Sequence, residues 1–204
     1  MSNIKRLKLV TIGDTSVGKT CMFIRFVHGT FPEYIPTVFE NHSYNMSQRG
    51  IPCVLSLWDT AGGEDYSRFR PLSYPQTDCF LLCFSIANRK SFERCLDYWY
   101  PEIQLFCPEA PVILVGTKID LYDDHKLDRS NFVTYEEGIE MAKKIQAVEY
   151  IEISSLKNIN ISKLFGNSSI ISLNFEKKNK KHFKFPSNFN VESSQYSFKA
   201  KGDK

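Results

Sequence analysis

No stretch of the 204 residues approaches the ~18 consecutive apolar residues of a transmembrane helix, so no membrane span is expected. The N-terminal segment Met1–Val10 carries Lys5, Arg6 and Lys8 and has no apolar core, which argues against a secretory leader. Position 2 is not Gly and no Cys stands near the C-terminus, so neither myristoylation nor a CaaX prenylation box is expected. The six cysteines (Cys21, Cys53, Cys79, Cys83, Cys95 and Cys107) include no CxxC pair and are spread too widely for a small disulfide-stapled fold. They read as reduced structural residues of a cytosolic protein rather than as reactive or metal-binding thiols. One-sided charge is lacking too. Twenty-six Lys+Arg against 23 Asp+Glu leave a net +3, too little to argue for nucleic acid. With 42% hydrophobic and 24% charged residues, the chain has the makings of a single globular domain.

The charge is unevenly placed. Residues 1–173 carry 18 Lys+Arg and 20 Asp+Glu, whereas 174–204 carry 8 and 3. A domain over 1–173 followed by a basic, disordered tail over 174–204 is expected. The tail's lysines (Lys177, Lys178, Lys180, Lys181 and Lys184) are each worth ~1 kcal/mol near an anionic leaflet. Weak, salt-sensitive membrane association would place the protein in the cytoplasm and peripherally on cytosolic membrane faces; a solvated tail without a partner is the competing reading.

Strands and helices alternate through the rest. Leu7–Ile12, Glu40–Met46, Pro52–Trp58, Cys79–Ile86, Val112–Gly116 and Tyr150–Ile153 read as strands, the second and third forming a hairpin that turns at Ser47–Gly50. The nearly unbroken apolar runs at Cys79–Ile86 and Val112–Gly116 suit parallel strands covered on both faces. Helices are expected at Lys19–Val27, at Ser91–Cys107 with a kink at Pro101, and at Tyr135–Ile145, opened by a capping box from Thr134 to Glu137. A last helix over Asn160–Leu173 is weakly written, because Gly166, Asn167, Ser168 and Ser169 are poor or mediocre helix formers. The pattern is that of an α/β layer sandwich.

Gly13-Asp14-Thr15-Ser16-Val17-Gly18-Lys19-Thr20 fits G-x-x-x-x-G-K-[ST] between a strand and a helix. Its glycines let backbone N–H groups converge on phosphates, and the helix start adds a positive dipole end. Lys19 would neutralise the β- and γ-phosphates and the Thr20 hydroxyl would ligate Mg²⁺. Asp59 closes an apolar strand, where it can hold Mg²⁺ through water, and Gly62 can turn its N–H toward a γ-phosphate. Thr117-Lys118-Ile119-Asp120 follows the strand at Val112. A carboxylate there can accept from the N1–H and exocyclic amine of guanine, a donor pair that adenine lacks, and the Lys118 stem can lie across the base.

These motifs, together with Tyr34-Ile35-Pro36-Thr37-Val38-Phe39-Glu40-Asn41, Leu57–Gly62, Arg70-Pro71-Leu72-Ser73-Tyr74-Pro75-Gln76-Thr77-Asp78 and Cys107-Pro108, resemble a Ras-superfamily small GTPase of the Rho/Rac branch, from about Ile4 to Phe165. The resemblance implies a three-layer P-loop G domain with a mostly parallel six-stranded sheet and helices on both faces. It implies GTP/GDP and Mg²⁺ as ligands, and Rho-type effectors and exchange factors as partners of a monomer. Nucleotide contacts are implied for the octet Gly13–Thr20, Cys21, Phe31, Tyr34, Thr37, Asp59, Gly62, Thr117, Lys118, Asp120, Ser154, Ser155 and Leu156, with Thr37 also on Mg²⁺ and the Ser155 N–H on the guanine O6. Trp58 resembles the residue used in exchange-factor choice.

Departures from the family pattern are expected to alter catalysis. Thr15 stands where the family usually has Gly, and Gly63 stands where DTAGQE has the glutamine that orients the attacking water. Lys19, Thr37 and Gly62 remain as hydrolysis groups, while Gly63 offers none. Slow hydrolysis and resistance to activating proteins are expected of a GTP-bound switch, with a scaffold that does not hydrolyse at all as the alternative. An ATP-dependent kinase is disfavoured by Asp120 and by the lack of an Arg-rich lid. Between Asp124 and Thr134 the segment His125–Val133 is too short for the branch's usual helical insert.

Overall fold

A computed structural model describes residues 4–33 and 41–178, with side chains through 175. Six strands form one sheet: β1 (Lys5–Ile12), β2 (Asn41–Gln48), β3 (Ile51–Trp58), β4 (Cys79–Ser85), β5 (Val112–Thr117) and β6 (Glu149–Glu152), in the order β2-β3-β1-β4-β5-β6. Only β2 runs antiparallel to its neighbour. Helices α1 (Lys19–His28), α2 (Arg89–Arg94), α3 (Tyr100–Phe106), α4 (Tyr135–Lys144) and α5 (Ile161–Lys178) complete the α/β fold.

The apolar runs are covered on both faces. Along β4, Cys79, Leu81 and Cys83 join one core layer with Phe23 of α1 and Phe165 of α5. Phe80, Leu82 and Phe84 join the other, with Phe92, Trp99 and Met141. The period-2 alternation of a strand thus distributes one continuous apolar sequence between two cores. All six cysteines are free thiols, and burial pushes Cys83 and Cys107 up to about 12.

The hairpin turns on two residues, Arg49 and Gly50, both at positive φ (50° and 75°), which is tighter than the four residues expected. The Thr134–Glu137 capping box is present, and Arg89 pairs with the same carboxylate. Residues 124–133 form turns without a helix.

Two helices differ from expectation. Pro101 does not kink a uniform helix; a π turn, Cys95–Trp99, joins α2 to α3. The Tyr100 N–H reaches the Cys95 carbonyl, so Pro101, which has no N–H, enters just after a widened turn. Helix α5 continues through its poor helix formers to Lys178, past both the expected end at Leu173 and the expected start of the tail. Packing outweighs propensity here. Ser168, Ser169 and Ser172 are fully buried, Phe165 stacks on Phe26 at 3.9 Å, and the Ser168 and Ser169 hydroxyls donate to the Phe165 carbonyl at 3.0 and 2.6 Å. The expected tail beyond Lys178 lies outside the described residues, as do Tyr34 and Thr37. Among the described residues no helix is long and apolar enough to cross a membrane.

The Ser172 hydroxyl is buried without a hydrogen-bond partner among the described residues. A buried polar group left unpaired costs ~1–3 kcal/mol. Ser172→Ala is therefore expected to stabilise the protein by about 1 kcal/mol in chemical denaturation; a loss of stability would show that the hydroxyl is satisfied in solution.

Candidate functional site

The site is built where β1, β3 and β4 end together. After Ile12 the chain turns at Gly13 (φ 140°), where a Cβ would lie 2.1 Å from the Cys83 carbonyl oxygen. The loop continues through Ser16 at φ 63° into α1. Lys19 is only 6% exposed, and its ammonium donates to the carbonyls of Gly13 (2.8 Å) and Asp14 (2.7 Å), across its own loop. Burial pulls its pKa down, against the opposing charge of Asp59. An anion placed in the loop would supply the counter-charge that favours the ammonium.

Asp59, also 6% exposed, is the acidic half of the site. Burial raises its pKa, while a hydrogen bond from Thr20 (2.5 Å) and the charge of Lys19 lower it. Thr11 Oγ1 adds a contact at 3.3 Å, and Thr60 Oγ1 fixes the following turn on the Thr11 carbonyl at 2.5 Å. The Thr20 hydroxyl and the Asp59 carboxylate thus form a paired set of hard oxygen donors suited to Mg²⁺. Among the described residues no group of three or more His, Cys, Asp or Glu could hold a metal alone.

A second set of residues lies at the ends of β5 and β6. The Thr117 hydroxyl lies 2.5 Å from the Val17 carbonyl and 2.9 Å from that of Phe84, joining the phosphate loop to β4. Lys118, at φ 62°, stretches to the Ser16 carbonyl at 2.7 Å. Ser154 donates to Asp120 at 2.5 Å and accepts from the Lys157 N–H at 2.9 Å, so the Ser154–Leu156 loop sits beside that carboxylate. Phe31 is 39% exposed past the end of α1, Cys21 is buried on α1, and the Val17 side chain belongs to the core.

The third part follows β3. Gly62 packs so closely on the phosphate loop that a Cβ would lie 2.4 Å from Thr15 N. Gly63 has an ordinary extended backbone (φ −73°, ψ 148°), and a Cβ there would meet only the Tyr66 ring, at 3.4 Å. Arg70 holds this segment from beneath, donating to the carbonyls of Ala61 (3.0 Å) and Gly63 (3.2 Å) while paired two-pronged with Glu102 at 2.9 and 2.7 Å. Tyr74 donates to the same Glu102.

The motifs did not reveal Arg70's clamp, nor the partners of Asp14. The Asp14 carboxylate turns to Trp99 Nε1 (2.8 Å) and Arg94 Nε (2.9 Å), and Arg94 also pairs with Glu64 at 2.9 Å. These partners are up to 85 residues apart in sequence, so no local spacing signals them.

Arg70 is 3% exposed, and its partner Glu102 is partly buried, with its side chain 12% exposed. Removing one partner of such a pair costs ~3–5 kcal/mol by leaving a charge unmatched. Glu102→Ala is expected to lose about that much stability in urea unfolding; a loss below about 1 kcal/mol would show that the clamp is dispensable.

Comparison with known proteins agrees with this arrangement. The Ras family model matches residues 8–171. The chain is 50% identical over 160 residues to the Ras-like GTP-binding protein RhoL of Drosophila melanogaster, covering 78% of this chain and 83% of that one. It is 49% identical over 172 residues to the Rho-related protein racN of Dictyostelium discoideum, covering 83% and 77%.

Proposed function

We propose, from the premise that this chain belongs to the Ras family and to its Rho/Rac branch, that it is a GTP-binding switch whose hydrolysis is slow and which therefore dwells in the GTP-bound, effector-competent form. The loop Gly13–Thr20 cradles the phosphates of GTP or GDP, with Lys19 on the β/γ oxygens. Thr20, Thr37 and, through water, Asp59 would hold Mg²⁺, which would draw off charge developing on the phosphates. Asp120 reads the guanine N1–H and amine, Lys118 lies along the base, and Ser155 and Leu156 border it. Phe31 and Tyr34 flank the nucleotide, and effectors engage the segments around Thr37 and Gly62.

The observation that carries the slow-hydrolysis reading is at Gly63. Its backbone needs no glycine, and its surroundings would accept a side chain. The missing glutamine is thus a loss of the water-orienting group without a change of frame. Thr15, exposed in the phosphate loop, adds bulk beside the space that the attacking water requires. Glu64 is the nearest candidate to compensate, but its carboxylate is engaged by Arg94.

Single-turnover hydrolysis on GTP-loaded protein tests this. The native chain is expected to hydrolyse slowly and to ignore a Rho-type activating protein. Thr15→Gly with Gly63→Gln should restore stimulation on the order of 10³-fold or more. Strong stimulation of the native chain would contradict the reading. No measurable hydrolysis at all would favour a permanent effector scaffold.

A further inference from the structure

We propose that Arg25 is a positioning residue for base recognition, stapling the Ser154–Leu156 loop to the end of α1 so that the loop's N–H groups face the purine's 6-oxo edge; this rests on the guanine-binding reading above. All three guanidinium nitrogens are committed. Nε donates to the Ser155 carbonyl at 2.6 Å, Nη2 to the Leu156 carbonyl at 2.8 Å and Nη1 to the Gly29 carbonyl at 2.8 Å. One side chain thus ties a loop 130 residues away to the turn that leads from α1 to Phe31.

Peptide geometry gives this staple a direction. In a planar trans peptide the C=O and the following N–H point opposite ways. With the carbonyls of Ser155 and Leu156 drawn toward Arg25, the Leu156 and Lys157 N–H groups are turned to the other side. For Lys157 that side is occupied by Ser154 Oγ, which is itself bonded to Asp120. Guanine presents O6, N1–H and the amine along one edge. A carboxylate taking the N1–H and the amine leaves O6 beside it, where the neighbouring Ser154–Leu156 loop supplies donors. Arg25 does not touch the base. It fixes the two peptide planes that flank Leu156, immediately after the Ser155 N–H assigned to O6, and so holds that loop in place; its planar fork suits two adjacent carbonyls better than a lysine's single ammonium.

The test compares dissociation of GDP with that of 6-thio-GDP, which keeps N1–H and the amine but replaces the oxygen acceptor by a weaker sulfur. It uses the full chain, Arg25→Ala and Arg25→Lys. Wild type should release 6-thio-GDP faster than GDP. Arg25→Ala should speed GDP release about tenfold while changing 6-thio-GDP release less than about threefold, with Arg25→Lys intermediate for GDP. Equal acceleration of both nucleotides would reduce Arg25 to a general fastener and overturn the inference, as would an unchanged GDP rate. A wild-type chain that releases GDP as fast as ADP would instead overturn the guanine reading itself, before any variant is compared.

Discussion

Backbone meets backbone where the loops after β1 and β3 and the strand β4 come together, and the rest of the site depends on that contact. Gly13 lies on the Cys83 carbonyl, and Gly62 lies on Asp14 and Thr15. A Cβ at either position would overlap main-chain atoms that cannot swing aside. The close approach lets Lys19 reach the carbonyls of its own loop, sets Thr20 against Asp59, and brings the segment after β3 against Asp14 and Thr15. Around it, Thr117 fastens the loop from the β5 side and the Asp14–Trp99 contact from the helical side.

How much of this was legible follows from how local each signal is. The phosphate octet, the hairpin, the apolar runs of β4 and β5 and the Thr134–Glu137 box are written in consecutive or near-consecutive residues, and each appears in the structure close to its expected place. What could not be read depends on partners far apart. Asp14 reads as one more loop residue until the π turn delivers Trp99 and Arg94 to its carboxylate. Arg70 reads as part of a family motif, yet it is a buried cation holding two carbonyls. Helix α5 was underestimated because its serines look unfavourable by propensity, whereas their small size suits a helix packed against the sheet.

The same separation underlies the proposal that hydrolysis is slow while binding persists. The proposed binding groups (Lys19, Thr20, Asp59, Asp120) are buried or tied into hydrogen bonds that support the fold. The side-chain positions at 15 and 63 carry no such duty. Thr15 is exposed, and the Gly63 side-chain position touches only an aromatic ring. On the proposed reading, substitution there alters what happens to a bound nucleotide without disturbing the frame that holds it. The Arg70 clamp holds the carbonyls of Ala61 and Gly63, and Arg94 pairs with the exposed Glu64 beside them.

The most direct measurement is the identity of the nucleotide that stays with the freshly purified protein, released by denaturation and separated by chromatography. A binding frame kept intact around a weakened hydrolysis centre predicts mostly GTP. Mostly GDP would show a working hydrolysis cycle and contradict the central claim, and ATP would contradict the assignment of Asp120 to guanine.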